Sequence, residues 1–346
     1  MPALTDPFAA LILVSGANGF LASWIVGDLL KNGYSVRAAV RSEDKGQHLL
    51  KAYAEYGSKL QLSIVQDMSI DGAFDEAVKG VEGIIHTTSP VHLDARHPKE
   101  MSDPAIAGQM GMLKSALKHG SALRRVIITS SCSAILDTVP DPTKDTATVS
   151  ESDWNILPVE ECERLGSKAS GLAMYSASKI LAEKGLLLGF VEEQKAEISW
   201  DLTMIIPPFI FGVRDEERPQ PELRDVLLRD VHGRGGPVPR HVRFPGWIDV
   251  RDSSTAHVRA LSAPATGGER ILVCGGSFVW QDFIDTANAL SPRSPNWKPL
   301  AKGTPGQAHR AITFVATKQK EILGIEYRTM EQTTRDILDD WAAHGW

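Results

Sequence analysis

The sequence predicts an α/β fold, a doubly wound parallel sheet with a smaller mixed C-terminal lobe, and three observations carry that expectation. Short apolar runs alternate with amphipathic stretches from Leu11 to about Ser133, the rhythm of parallel strands joined by crossover helices. A glycine-rich turn, Gly16-Ala17-Asn18-Gly19, leads from the first apolar run into the first amphipathic stretch. Beyond Ile206 the texture changes: Pro207, Pro208, Pro219, Pro221, Pro237, Pro239 and Pro245 crowd one region, so an irregular second lobe starts near 207.

Taken in order, the runs Leu11–Val14, Ser35–Val40, Leu60–Val65, Gly83–His86, Arg125–Thr129 and Trp200–Ile206 are the expected strands. The first helix sets Leu21, Ile25 and Leu29 on one stripe and ends at Asn32-Gly33, whose glycine can take the left-handed conformation. Residues 138–170 are polar and contain Pro140, Pro142 and Pro158, which predicts a loop with short structure, placed to act as a flap. Leu272-Val273-Cys274-Gly275-Gly276 is a further short strand and turn, and Met330–Trp341 a terminal helix with Ile337, Leu338 and Trp341 inward. The expected division is 1–206, with 248–275 returning to it, and 207–346.

The chain has 346 residues, 42% of them hydrophobic, enough for a sizeable core. A formal net charge of -6 supplies no basic field for nucleic acid or an anionic membrane. The apolar run Phe8–Val14 is far short of a membrane span and follows no basic segment, so a cytoplasmic protein without a signal peptide is expected. Cys132, Cys162 and Cys274 are widely spaced and form no CxxC pair, which indicates neither a disulfide framework nor a zinc site. His86, His92 and His97 lie near one another, yet no HExxH or paired ligand spacing accompanies them, and no metal is expected.

A glycine turn between a strand and a helix lets backbone amides approach a pyrophosphate at the positive end of the helix dipole. Gly16 and Gly19 supply that turn, in a GxxGxxA spacing completed by Ala22, so the first half is expected to be a Rossmann-type dinucleotide domain. An NAD-preferring site wants a carboxylate at the end of the second strand. Here Arg37, Arg41 and Lys45 stand in that segment, cations suited to a 2′-phosphate, and the expected cofactor is NADPH. Glu43 and Asp44 are close enough in sequence to pair with them instead.

Tyr175-Ser176-Ala177-Ser178-Lys179 places a phenol and an ammonium on one helix face. Such an ammonium favours the phenolate, lowering a tyrosine pKa that is normally about 10. Reduction of a carbonyl builds negative charge on its oxygen, which calls for a proton donor and a hydrogen-bond donor. Tyr175 suits the first role; Lys179 could tune it and also reach the nicotinamide ribose, or could instead pair at the surface with Glu183 one turn on. For the second role, the strand end Thr129-Ser130-Ser131-Cys132-Ser133 offers several hydroxyls.

Gly16-Ala-Asn-Gly-Phe-Leu-Ala22, Val36-Arg-Ala-Ala-Val-Arg41, Ile85-His-Thr-Thr-Ser-Pro90, Thr129-Ser-Ser131, Tyr175-Ser-Ala-Ser-Lys179, Ile205-Ile-Pro207 through Phe211-Gly212, and Asp249-Val-Arg-Asp252 with Ala256-His257 occur in that order. In this the chain resembles the extended short-chain dehydrogenase/reductases, and among them the dihydroflavonol-reductase-like branch that includes fungal and yeast NADPH-dependent aldehyde and ketone reductases. The resemblance runs from about Leu11 to Gly276. It implies a Ser-Tyr-Lys triad, with Ser131 matching the serine and Ser133 in reserve. It also implies that Phe20 and Leu21 line the pyrophosphate turn, that Asp67 and Met68 sit by the adenine, that Thr87, Thr88 and Ser89 border the dinucleotide, and that Pro207 flanks the nicotinamide. Val213 after Gly212 and Ile206 before Pro207 depart from the family pattern and bear on the pocket wall.

The function expected is NADPH-dependent reduction of small carbonyl compounds by a monomer or homodimer. An NAD-dependent sugar-nucleotide epimerase or dehydratase of the same fold is the first alternative, and a nucleotide-sensing binding module the second.

Overall fold

The computed structural model describes residues 3–4, 6–88, 95–136, 147–213, 227, 245–304 and 312–345. The elements of the first half are β1 (Leu11–Ser15), α1 (Phe20–Lys31), β2 (Ser35–Val40), α2 (Glu43–Ala52), β3 (Leu60–Ile64), β4 (Gly83–His86), α3 (Lys99–His119) and β5 (Arg125–Thr129). Then come β6 (Ala147–Ser150), α4 (Leu157–Leu165), α5 (Gly171–Lys184), β7 (Asp201–Ile206), β8 (Phe209–Phe211), β9 (Gly246–Asp249), α6 (Val250–Ser262), β10 (Arg270–Leu272) and β11 (Gly276–Ser277). The chain closes with α7 (Trp280–Ala289), β12 (Ile312–Val315) and α8 (Met330–Ala343).

Seven strands form one sheet in the order β10-β7-β5-β4-β1-β2-β3, every pairing parallel. From β1 the chain winds outward through β2 and β3, then returns to the other side of β1 with β4, so the winding reverses between β1 and β4. A crevice opens above the carboxyl ends of the strands at such a reversal. Two small sheets, β11-β9-β8 and β12-β6, lie apart from the large one. Residues 138–170, expected as a loop with short structure, hold β6 and α4 among their described residues, ahead of α5.

Both faces of the large sheet are covered, which is why its strands are continuous apolar runs. Ile12, Val14, Val36, Ala38 and Ile127 pack with Ile25 and Leu29 of α1 and with Ala256 and Leu261 of α6. Their alternates Leu13, Ala39, Ile84, Val126 and Ile128 pack with Met112, Leu113 and Ala116 of α3. The second lobe has its own aromatic core, in which Phe211, Trp247, Phe278 and Phe283 meet Ile337, Leu338 and Trp341 of α8.

Arg125 ties the amino ends of β5 and β7 to α6 from a fully buried position (0% exposed). Its Nε and Nη2 donate to the two Asp201 carboxylate oxygens at 2.6 and 2.8 Å. Its Nη1 donates to the Ala260 and Ala263 carbonyls at 2.6 Å each and to Thr266 Oγ1 at 2.6 Å. The last carbonyls of a helix have no partner within it, and here a cation meets those of α6 at the negative end of its dipole.

Removing one partner of a buried ion pair strands the other. Asp201→Ala is therefore expected to lower the unfolding free energy by about 3–5 kcal/mol, read from urea midpoints. Glu76→Ala, which breaks the exposed pair with Lys79, should cost at most about 1 kcal/mol.

Candidate active site

A cleft of about 1030 Å³ lies over the carboxyl ends of β1, β2, β3, β4, β5 and β7. Gly16 and Gly19 form its floor beside Phe20 and Leu21, the first residues of α1. Gly16 has φ +61°, and a Cβ there would lie 2.7 Å from Thr88 Oγ1; both backbone conformation and space therefore require glycine. No acidic residue occupies the first turn of α1, so its amides and dipole face the cleft without a competing anion. A glycine cradle at a helix N-terminus in a cleft of this size fits a dinucleotide.

The side wall is fixed by Ser15. Its hydroxyl accepts from the Thr87 N–H at 3.1 Å and from Thr88 Oγ1 at 2.9 Å, leaving its proton for His86 Nδ1 at 2.9 Å. Thr87 Oγ1 donates to the Ser15 carbonyl at 2.7 Å. Burial, and then the Lys179 charge, lower His86 to about 4; it serves as a neutral acceptor behind the wall.

Arg41 and Lys45 line the cleft beyond β2, and Asp67 and Met68 beyond β3. Asp67 accepts from the Ser69 N–H at 2.9 Å and Ser69 Oγ at 2.6 Å, and these bonds, helped by Arg41, hold its carboxyl below the usual range. Asp67 is thus a turn-former and a cleft residue at once. Arg37 does not join them. Its Nη1 donates to the Ala77 and Lys79 carbonyls at 2.7 Å each. Arg37 lies four residues, about 13 Å of strand, before Arg41, away from the carboxyl end where the cleft opens. Expected at the cofactor, Arg37 is not among the residues that line the cleft, and its guanidinium ties the sheet to the loop before β4. Ser89 lies outside the described residues, as do Pro219, Pro221, Pro237 and Pro239 of the expected second lobe.

The reactive end is assembled from β5, α5 and the turn after β7. Ser170 caps α5 by accepting from the Ala173 N–H at 3.1 Å, and Tyr175 and Lys179 both face the cleft together with Ser131 and Pro207. Tyr175 is hydrogen-bonded to Ser131 and Ser133. Ser131 Oγ accepts from Ser133 Oγ at 2.9 Å and the Ser133 N–H at 3.2 Å. Ser133 is fully buried (0% exposed) and does not line the cleft; Ser131 does.

Lys179 Nζ lies 5.7 Å from the Tyr175 ring centroid. Lys179 is buried (6% exposed), so the surface pair with Glu183 does not form. Desolvation pushes its ammonium down to about 8, against the opposing pull of Glu183. The expected acidification of Tyr175 is also reversed. Burial pushes its phenol up to about 12, outweighing its hydrogen bonding with Ser131 and Ser133. Asn18, Gln66, Ser69, Glu100, Pro104 and Ile210 are among the other residues that line it; of these only Asn18 and Ile210 lie within a sequence motif, and neither carries an expected role.

Among the described residues no group of His, Cys, Asp and Glu could hold a metal ion, and no helix is long and apolar enough to cross a membrane.

Comparison with known proteins places this geometry among relatives. An NADPH-dependent methylglyoxal reductase of Saccharomyces cerevisiae is 31% identical over 94% of this chain and 96% of its own length. Aldehyde reductase 2 of Sporidiobolus salmonicolor is 28% identical over 96% of each chain. The crystal structure of the yeast methylglyoxal/isovaleraldehyde reductase Gre2 with NADPH superposes with a TM-score of 0.82 at 29% identity, covering 97% of this chain and 99% of that one. The model of the NAD dependent epimerase/dehydratase family matches residues 12–275, and the chain belongs to that family.

Proposed function

We propose that this protein reduces aldehydes and ketones to alcohols at the expense of NADPH, with Tyr175 as the proton donor. The observation that carries the reading is the meeting of Tyr175, Lys179 and Ser131 with the Gly16 cradle in a single cleft. The names of its relatives, a methylglyoxal reductase and an aldehyde reductase, support the same substrate class. Bound NADPH supplies the hydride. Gly16, Gly19 and the first turn of α1 would hold its pyrophosphate, Arg41 and Lys45 its 2′-phosphate, and Asp67 and Met68 would border its adenine. Thr87, Thr88 and Pro207 would flank the remainder.

The chain's own groups meet the charge that develops on the carbonyl oxygen. Ser131, with its oxygen already accepting from Ser133, turns its proton toward that oxygen. Tyr175 gives up its proton to it, and Lys179 offsets the negative charge left on the phenolate. A phenol held near 12 stays protonated throughout the physiological range, as a donor must.

The proposed division is a cofactor lobe, 1–206 with 248–275, and a substrate lobe in the rest of 207–346. It is supported by the pairing of β10 with β7 and the packing of α6 on the face that α1 covers. Cys132, Cys162 and Cys274 are free, buried thiols, in keeping with work in the reducing cytoplasm.

Tyr175→Phe is expected to lower kcat for ketone reduction by about 10²–10⁴-fold while NADPH still quenches the protein fluorescence with unchanged Kd; intact turnover would remove Tyr175 from the chemistry. Stoichiometric loss of NADPH absorbance with a ketone distinguishes this reading from an epimerase, which recycles its nucleotide.

Arg41→Ala should raise KM for NADPH about 10–100-fold, the loss of one charge-assisted bond, and leave KM for NADH unchanged. Arg37→Ala should change neither constant, because its guanidinium is held by the Ala77 and Lys79 carbonyls.

The pH profile follows from Lys179. Its cationic form is the active one, so kcat/KM for reduction should be flat below neutrality and fall as pH rises through about 8. A profile that stays level past that value would remove Lys179 from the titration.

A further inference from the structure

Glu183 lies one turn beyond Lys179 on α5 and is 1% exposed. A carboxylate buried so deeply needs partners, and three elements supply them. Ser130 Oγ, from the end of β5, donates a short hydrogen bond to Glu183 Oε2. Arg270 Nε, on β10, donates to Glu183 Oε1 at 2.7 Å. Arg270 is itself fixed: its Nη1 donates to the Glu151 and Asp153 carbonyls at 2.5 and 3.0 Å, and its guanidinium carbon lies 3.8 Å from the Trp154 ring centroid. Ser130 precedes Ser131 directly. One carboxylate therefore braces the helix that carries Tyr175 and Lys179 against the strand end that carries Ser131.

We propose that Glu183 is a positioning residue of this site, whose carboxylate, anchored by Ser130 and Arg270, keeps Lys179 charged and Ser131 aimed into the cleft. The inference rests on the roles given above to Lys179 and Ser131.

The other groups around Lys179 leave Glu183 as the anion that acts on it. On its own helix stands Tyr175, a neutral phenol. His86 from β4 is neutral, and the Cys132 thiol in the turn after β5 is held protonated by burial. Glu100 of α3 lies exposed at the cleft lining. On α4, Glu161 accepts from the Ser170 N–H at the start of α5, and Glu163 is exposed. The turn Gly185–Phe190 after α5 has no titratable side chain. From β10 comes Arg270, whose positive charge partly cancels that of Glu183. Burial draws the Lys179 ammonium down and Glu183 holds it up.

The test breaks the same ion pair from each side. Glu183→Gln keeps an oxygen for Arg270, lets the Ser130 hydroxyl turn to accept from the new NH2, and removes the anion, so the alkaline limb of kcat/KM for NADPH-driven ketone reduction should move to lower pH by about one unit. Arg270→Gln removes the opposing cation, and the limb should move to higher pH. A purely structural pair would give two variants of lowered Tm with limbs unmoved, or moved in the same direction, and either result overturns the proposal. If Glu183→Gln does not fold, the Arg270→Gln limb decides alone: an upward shift supports it and an unmoved limb sinks it. Lys179→Met, run beside them, separates the two layers. Full turnover in that variant would end the Lys179 assignment itself, whereas its loss together with unmoved limbs would end only the role of Glu183.

Discussion

Burying the Lys179 ammonium is the constraint from which the rest of the site follows. An amine taken out of water favours its neutral form, and here that pressure brings it to about 8. A lysine useful as a cation near neutrality must then be compensated without being neutralised. A carboxylate in direct contact would form a tight pair and spend the charge locally. One turn along the helix, with its strongest bonds given to Arg270 and Ser130, Glu183 acts at a distance and leaves Nζ near the Tyr175 ring. Spacing on a helix, more than contact, sets the electrostatics.

The same economy runs through the scaffold. Parallel strands bring their carboxyl ends to one edge, so β1, β4, β5 and β7 deliver Gly16, Thr87, Ser131 and Pro207 to one cleft although 191 positions separate the first from the last. The cleft wall then depends on how the sheet edge is held. Arg125 binds β7 and α6 from beneath, and Arg270 binds β10 to α5 and to the Trp154 segment. Arg125 is fully buried and Arg270 half-buried, and the planar donors of each reach several acceptors at once, a geometry that a lysine could not reproduce.

Local patterns made much of this visible in the sequence. The Tyr175–Lys179 spacing, the Gly16 turn and the alternation of strands with helices are each written within a few residues, and a period fixes which face they share. What lay beyond reach was long-range. Arg37 and Arg41 are the same residue type on one strand, and only knowing that the cleft opens past Val40 separates a structural guanidinium from a cleft-facing one. Glu183 could be noticed only as a neighbour of Lys179, because Ser130 and Arg270 are 53 and 87 positions away. The direction of the Tyr175 shift is hidden from the sequence for a related reason: a charge four residues away can be read from sequence, while depth of burial cannot, and burial is the larger effect.

That reversal changes how the triad should be understood. A phenol with a lowered pKa would be a readily shared proton, equally suited to both directions of reaction. A phenol pushed upward is a donor that holds its proton until a stronger base appears beside it, and an oxygen acquiring alkoxide character is such a base. The Ser131 hydroxyl fits the same logic, since its oxygen already accepts two hydrogen bonds from Ser133 and what it has left to offer is a proton. On the proposed roles, donors converge where negative charge would build, held in advance by Ser133 on one side and by Lys179 on the other, so little rearrangement would be needed when that charge arrives.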